Sequence, residues 1–381
     1  MLHTSDWHLG RSFHREDMLG AQAGFIDRLV EVVRSERVEA VLVSGDVYDR
    51  ALPSVDTVAL ANDALARLAG TGARVVIISG NHDSVTRLGF GAELIDAAGV
   101  HLRTEVSAAG RPVLLEDRHG PVAVYPLPYL EPSLSADPLQ TQARSHAGVL
   151  EAAMSRVRAD LPTRPADTRS VVLAHAFVAG GAGSDSERDI SVGGVSAVPL
   201  SVFAGVDYLA LGHLHNRQVL TPAARYSGSP LPYSFSEAGA VKGMWLVELD
   251  AGGLAGVSGI DLPVPRPLSR ISGRLEELLT DPGLAAVESH FVQATLTDPV
   301  RPAESMERVR ARFPHTLVLL FDPEHAQSGQ PPSYRQRLLG LDELGTCSAF
   351  VEHVRGLPAS PEEVALLREG LQELRAGAVT A

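Results

Sequence analysis

Lysine and cysteine are almost absent from this chain: its 381 residues include one of each, Lys242 and Cys347. A single cysteine excludes an internal disulfide and a thiolate-built metal site, and it points to a reducing, cytoplasmic setting. Long apolar runs are missing too. None approaches the roughly 18–20 residues of a membrane helix, so no membrane association is expected. The opening Met1-Leu2-His3-Thr4-Ser5-Asp6 passes at once into polar residues, which predicts no secretory leader. A basic excess is also lacking: 46 acids face 33 bases, a formal net charge of −13, and no segment is basic. On charge alone this argues against a nucleic-acid binder, because phosphate neutralisation normally draws on a basic surface. What remains is an ordinary globular composition, 45% hydrophobic and 21% charged, in a length that fits two or three domains.

Residues 1–262 alternate short β-branched runs with amphipathic stretches. Residues 38–44, 74–79, 170–174 and 208–211 read as buried strands, each ending abruptly in a polar or glycine-containing loop. Phe25, Ile26, Leu29, Val30 and Val33 recur at helical spacing, as do Leu60, Ala64, Leu65 and Leu68. This is the pattern of an α/β domain, in which ligands gather beyond the carboxyl ends of the strands. The runs 113–115, 122–125 and 244–249 lack long intervening helices and predict a second, partly antiparallel sheet. Pro263-Val264-Pro265-Arg266-Pro267 marks a boundary. Beyond it, residues 263–323 read as a small α+β domain, 324–334 as a linker, and 335–381 as a C-terminal part with two helices. Ser360-Pro361-Glu362-Glu363 is a helix start: a capping serine, proline at the first helical position, and glutamate three residues on.

Histidine carries the chemistry. Asp6-Trp7-His8, Gly45-Asp46-Val47-Tyr48-Asp49, Gly80-Asn81-His82-Asp83, His175 and Gly212-His213-Leu214-His215 each stand at a predicted strand end. Taken singly, each could be a turn or a hydrogen-bonded structural residue. Together they form a set of oxygen and imidazole donors suited to Mn²⁺, Fe²⁺, Zn²⁺ or Mg²⁺. The candidates are too many for one ion, and two ions about 3.5–4 Å apart, sharing a carboxylate, would use them.

The order DxH…GDxxD…GNHD…H…GHxH resembles the calcineurin-like metallophosphoesterases. Four stretches narrow the resemblance to the SbcD family of bacterial nuclease subunits: residues 3–10 (HTSDWHLG), 79–84 (SGNHDS), 186–194 (SERDISVGG) and 226–230 (YSGSP). The resemblance implies a two-sheet α/β/β/α sandwich with a small capping domain and C-terminal helices. It implies one divalent ion on Asp6, His8, Asp46 and His215, and a second on Asp46, Asn81, His175 and His213, with Mn²⁺ the expected metal. It further implies that His82 acts on the leaving-group side, and Asp83 is read as the carboxylate that orients its imidazole. Asp49 is read as supporting the ligands, or as a turn-stabilising residue.

By the same resemblance the activity is hydrolysis of DNA: 3′→5′ on double-stranded ends, and endonucleolytic on single strands and hairpins. The implied roles are DNA repair, recombination and replication, and the implied partner is an SbcC-type ATPase bound through the C-terminal helices. A homodimer of the nuclease subunit within a heterotetramer is expected. The alternatives are a small-substrate phosphatase or cyclic-nucleotide phosphodiesterase, which share the metal motifs, and a non-catalytic scaffold of a DNA-end complex. DNA phosphate contacts could come from Arg11, His14 and Arg87 near the motifs, and from Arg308 and Arg312 on one helix face. Each also reads as an ordinary solvated or ion-paired residue, which for His14, Arg308 and Arg312 is the plainer reading. Trp7 is expected to pack beneath the site. The apolar positions Leu341, Leu344, Phe350, Val354, Val364, Leu367, Leu371 and Leu374 face either the protein's own core or the partner.

Overall fold

The computed structural model describes residues 1–190, 197–324, 338, 340–355 and 357–379, with side chains as far as Glu373. Residues 191–194 of the SbcD-like stretch, 325–334 of the expected linker, and the Leu374 side chain lie outside the described residues. The chain divides into two compact units, Met1–Pro267 and Leu268–Ala381.

The first unit begins with β1 (Leu2–Thr4), α1 (Leu19–Ser35), β2 (Ala40–Ser44), α2 (Val55–Ala69) and β3 (Arg74–Ile78). Two short helices, α3 (Val85–Leu88) and α4 (Ala92–Ile95), precede β4 (Val100–Arg103). Strand β2 is Ala-Val-Leu-Val-Ser with all five residues buried, as a central parallel strand covered on both faces should be. Helix α1 buries Phe25, Ile26, Leu29, Val30 and Val33, the stripe its periodicity predicts. Helix α2 starts where Ser54 accepts the Thr57 amide.

The second layer follows with β5 (Val113–Asp117), β6 (Gly120–Leu127), α5 (Pro132–Leu139), α6 (His146–Asp160), β7 (Arg169–His175), β8 (Tyr208–Gly212), β9 (Gln218–Thr221) and β10 (Ala224–Tyr226). A hairpin of β11 (Gly243–Asp250) and β12 (Gly253–Asp261) completes the unit. One sheet has the order β12-β11-β1-β2-β3-β4 and the other β5-β6-β7-β8-β10-β9. Their facing sides bury Leu42, Val76 and Ile78 against Val124, Val171, Leu173 and Ala210. Helices α1 and α2 cover the outer face of the first sheet, and α5 and α6 that of the second. The α/β/β/α sandwich is therefore present.

One expectation needs correcting. Residues 244–249 do not join the second sheet: β11 pairs antiparallel with β1 at the edge of the first. Its inner residues Trp245 and Val247 do reach the core between the sheets. Helix α6 was not anticipated either, although Val149, Leu150, Ala153, Met154 and Val157 carry a helical stripe.

The second unit opens with β13 (Leu268–Gly273), α7 (Leu275–Thr280), β14 (Phe291–Leu296), α8 (Ser305–Arg312) and β15 (Thr316–Phe321). Its three strands are all parallel, because a helix fills each crossover. Ile271, Leu275, Leu278, Val292, Ala294, Leu296, Val309 and Phe313 form its core. Helices α9 (Glu343–Arg355) and α10 (Pro361–Val379) follow. Among the described residues no helix is long and apolar enough to cross a membrane.

Candidate metal centre

The loops after β1, β2, β3, β7 and β8 bring the candidate ligands together at the carboxyl ends of parallel strands from both sheets. The backbone there is unusual. Asp6, His8, Asp46 and His213 all have positive φ, at 52°, 45°, 50° and 103°. Such conformations are costly for residues with side chains and persist where the surroundings over-determine them. The motif glycines are steric requirements of the same crowding. A Cβ at Gly80 would lie 2.1 Å from Asp46 Oδ1, and one at Gly212 would lie 1.9 Å from the Ser44 carbonyl oxygen.

His8 Nε2 and His215 Nε2 face each other at 3.0 Å. Asp46 Oδ2 lies 3.7 Å from His8 Nε2 and 3.4 Å from His175 Nε2, so one oxygen sits between two imidazole groups. His175 Nδ1 donates to the Ser44 carbonyl at 2.9 Å, and its Nε2 stands 2.8 Å from Asn81 Oδ1. His213 Nδ1 is 3.3 Å from the same Asn81 oxygen. Both Asp6 oxygens face the His213 amide at 3.1 Å, and Ser5 Oγ donates to Asp6 at 2.5 Å. All seven residues named as metal ligands are thus gathered in one cluster.

The fit to cations can be tested on the side chains alone. Asp6, His8 and His215 each offer a donor atom within one small sphere, as do Asp6, Asp46 and His175. His8 Nδ1 and Asn81 Nδ2 are buried without a hydrogen-bond partner, an expensive condition for polar atoms. Two imidazole nitrogens turned on each other, beside two buried carboxylates, make an arrangement that positive ions would complete. The residues fit a two-ion centre.

Charge on the side chains follows from the same geometry. Burial pushes the Asp6 carboxyl up to about 6, against the pull of His175 and His215. Burial works to lower His175, but the adjoining Asp46 carboxylate outweighs it and holds the imidazole at about 9. Asp46 itself is held well below the usual range, its desolvation overcome by His175. Burial and the neighbouring His175 charge push His213 down to about 3. The adjoining charges thus favour a His175–Asp46 ion pair, and an ion held by His175 would have to displace the proton between them.

His82 lies beside this cluster, its ring edge-on to His8 with centroids 4.7 Å apart. Its Nδ1 donates to the Asp49 carbonyl at 2.7 Å, which leaves Nε2 as the nitrogen free to act. This corrects the role expected of Asp83. That carboxylate accepts the amides of Val47, Tyr48 and Gly80 at 3.1, 2.9 and 2.9 Å and so ties two motif loops together. Burial, then the Asp46 charge, raise it to about 7 against those three bonds. The acceptor that orients His82 is the Asp49 backbone, while the Asp49 side chain stands 3.7 Å from His8 Nδ1.

Trp7 is fully buried, donates to Thr4 Oγ1 and packs edge-on against Phe25, beneath the ligands it separates. Arg11 is engaged: it donates to the Ser186 carbonyl at 3.0 Å, lies 3.8 Å from Asp49, and covers the Tyr233 ring. His14 is exposed and packs on Phe13 and Phe235. Arg87 donates to the Ala51 carbonyl at 3.1 Å. In the second unit Arg308 pairs with Glu276, and Arg312 with Glu288 and the Leu278 and Asp281 carbonyls. Sequence reasoning missed a buried group behind His215 formed by Ser186, Glu237 and Lys242. Its signal was available in Lys242, a lone lysine just before an apolar strand.

Comparison with known proteins agrees with this geometry. Residues 1–217 match the calcineurin-like phosphoesterase model, and residues 264–354 match the SbcD_C model, described as the type 5 capsule protein repressor C-terminal domain. The chain is 32% identical over 294 residues to the D subunit of nuclease SbcCD from Escherichia coli K12, covering 73% of this chain and 72% of the relative. The same protein of Escherichia coli O157:H7 matches with the same figures. Among solved structures, TT1561 of Thermus thermophilus is similar at 14% identity and a TM-score of 0.39, covering 69% of this chain and 98% of that one, a likeness too slight to argue from. On its sequence matches, with which its sandwich and its cluster of candidate ligand side chains agree, the chain belongs to the calcineurin-like phosphoesterases, in the SbcD family.

Proposed function

We propose that this chain is the DNA-cleaving subunit of an SbcCD-type complex, hydrolysing phosphodiesters with two divalent ions, Mn²⁺ foremost. The observation that carries the reading is the convergence of seven donor side chains, Asp6, His8, Asp46, His175 and His215 with Asn81 and His213 against them, beside a histidine whose Nδ1 is committed to a backbone carbonyl. Asp6, His8, Asp46 and His215 would hold one ion, and Asp46, Asn81, His175 and His213 the other. When bound, the ions supply nucleophile activation and charge stabilisation for in-line attack at phosphorus. Asp46, whose Oδ2 lies between the His8 and His175 imidazoles, would be shared by both, and Asp49 and Asp83 would support the loops. His82 Nε2 serves the leaving-group side. The finer expectation is 3′→5′ exonuclease action on duplex ends and endonuclease action on single strands and hairpins, in repair, recombination and replication.

The partner reading draws on α9 and α10. Among the described residues of α9 none is buried, and Phe350, Val354 and Leu366 are exposed. An apolar helix pair uncovered in this way suits docking on an SbcC-type ATPase. The test is an assay of the full chain, with and without that ATPase, on linear duplex DNA and on a small phosphomonoester in Mn²⁺. DNA cleavage is expected. Hydrolysis of the monoester with inert DNA would instead favour a phosphatase, and activity on neither a scaffold.

A homodimer is part of the proposal. Phe90 and Leu94 are 87% and 84% exposed, and Val55 and Leu52 85% and 72%. Arg87 joins the two segments that carry them through its bond to Ala51. Apolar side chains this exposed suit an interface with a second copy. Replacing Phe90 and Leu94 together by aspartate is expected to weaken self-association by at least ~30-fold, on the scale of interface hot spots. Sedimentation at micromolar concentration reads it, and a wild type that stays at the 40.4 kDa chain mass sinks the idea.

A further inference from the structure

The chain's one lysine is not on its surface. Lys242 is 1% exposed, and Nζ donates to the His215 carbonyl at 2.8 Å, to Ser229 Oγ at 3.0 Å, and to Glu237 Oε2. Glu237 is 2% exposed, and its other oxygen accepts from Ser186 Oγ at 2.7 Å and from the Tyr233 amide at 3.2 Å. Ser186 Oγ in turn lies 2.6 Å from His215 Nδ1. A buried ion pair is costly to desolvate and is weak evidence of stabilisation by itself, so its connections decide what it does.

The proton count along this chain of contacts has one solution. Glu237, as a carboxylate, can only accept, so the Ser186 hydroxyl proton points to it. Ser184 Oγ, 2.9 Å from Ser186 Oγ, gives its own proton to Glu187 at 2.7 Å and offers only a second acceptor. Either way Ser186 has no proton for His215 and must accept one from it. Nδ1 then carries the hydrogen, and in the neutral ring Nε2, facing His8 Nε2 at 3.0 Å, presents a bare lone pair. The backbone of the same residue is held at both ends: its amide donates to Glu187 at 2.7 Å and its carbonyl accepts from Lys242.

We propose that Ser186, Glu237 and Lys242 are positioning residues that fix the tautomer and place of His215, and so make its Nε2 a ready-made donor to the metal centre. The proposal rests on the reading of His215 as a ligand, and the two can fail separately. Removing such support typically costs ~10–100-fold in metal affinity.

The test uses the metal-free full chain, labelled with ¹⁵N-histidine, and Mn²⁺ titrations of the wild type, Ser186→Ala, Ser186→Thr and Lys242→Met. In the wild type the His215 signals are expected to report a single Nδ1–H tautomer. Ser186→Ala leaves the ion pair whole, so its folding is the safer comparison should Lys242→Met not fold. It is expected to mix the tautomers and to weaken one of two Mn²⁺ sites by ~10–100-fold, and Ser186→Thr, which restores the hydroxyl, to recover both. An unchanged tautomer with unchanged Mn²⁺ affinity in Ser186→Ala overturns the relay and leaves a plain structural ion pair. A wild type that shows the tautomer but binds no Mn²⁺ overturns the ligand reading of His215 and, with it, the proposed role toward the metal.

Discussion

His82→Ala is expected to lower DNA cleavage by ~10²–10⁴-fold, the usual contribution of a positioned proton-transfer group, with two Mn²⁺ still bound per chain. Retained metal is the discriminating part. His8, Asp49 and His82 form a group that could itself hold an ion, so a ligand role for His82 is a real rival. Two contacts define what the variant removes and what it keeps. His82 Nδ1 is committed to the Asp49 carbonyl, and the His82 amide already donates to Asp46 Oδ1 at 2.8 Å. The backbone of residue 82 thus steadies the shared carboxylate while the ring stands beside the cluster. Alanine keeps that amide and removes only the ring. Metal counting on the purified variant and timed cleavage of linear duplex DNA decide the matter: loss of metal together with activity would make His82 a ligand.

The grouping of the candidate site residues was legible in the sequence because the motifs that carry them are local. Asp-x-His, Gly-Asp, Gly-Asn-His-Asp and Gly-His-x-His each sit within a few residues of a strand end, where a parallel sheet delivers them to one edge. Even the glycines have a reason that composition hints at, since Gly80 and Gly212 leave room that a Cβ would take. What was not legible depends on partners far away in the chain. Residues 244–249 look equally at home in either sheet, and only their pairing with Leu2 and His3 assigns them to the first. Asp83 follows His82 directly, which invited a carboxylate–imidazole pair. Its oxygens instead close on the amides of Val47 and Tyr48, 36 and 35 residues back. Lys242 reaches His215 across 27 residues, and no periodicity announces such a contact.

The net charge also takes on a different meaning. Arg308, Arg312, Arg274 and Arg355 are each paired with an acid of the same unit. Guanidinium groups so engaged are poorly placed to release counterions from DNA. On that ground the chain is expected to bind nucleic acid poorly when it acts by itself as a non-specific binder. Under the proposed function that expectation would not extend to a substrate delivered by a partner to a centre that holds two divalent cations, whose charge the formal −13 omits.

Asp46→Asn is expected to abolish binding of both ions and bring cleavage to the assay background, although the change is nearly isosteric. The direction in which the new amide must face decides this. Asp46 Oδ1 accepts the His82 backbone N–H at 2.8 Å, so an asparagine keeps its oxygen there, because an NH₂ group would oppose a donor. Its nitrogen then occupies the place of Oδ2, the atom 3.7 Å from His8 Nε2 and 3.4 Å from His175 Nε2. A lone-pair atom that two cations would share is replaced by two protons aimed into the cluster. Loss of a supporting contact alone weakens metal by ~10–100-fold, so loss of the shared ligand should exceed ~100-fold at each ion. Stability supplies a readout independent of catalysis. Mn²⁺ at about 100 times its Kd should stabilise the wild type by about 2.7 kcal/mol per site, and Asp46→Asn, folded but without that gain, should melt at the same temperature with or without the metal. An Asp46→Asn chain that is stabilised by Mn²⁺ as the wild type is would show that Oδ2 is not the shared ligand, and the two-ion assignment would then have to be rebuilt around Asp6.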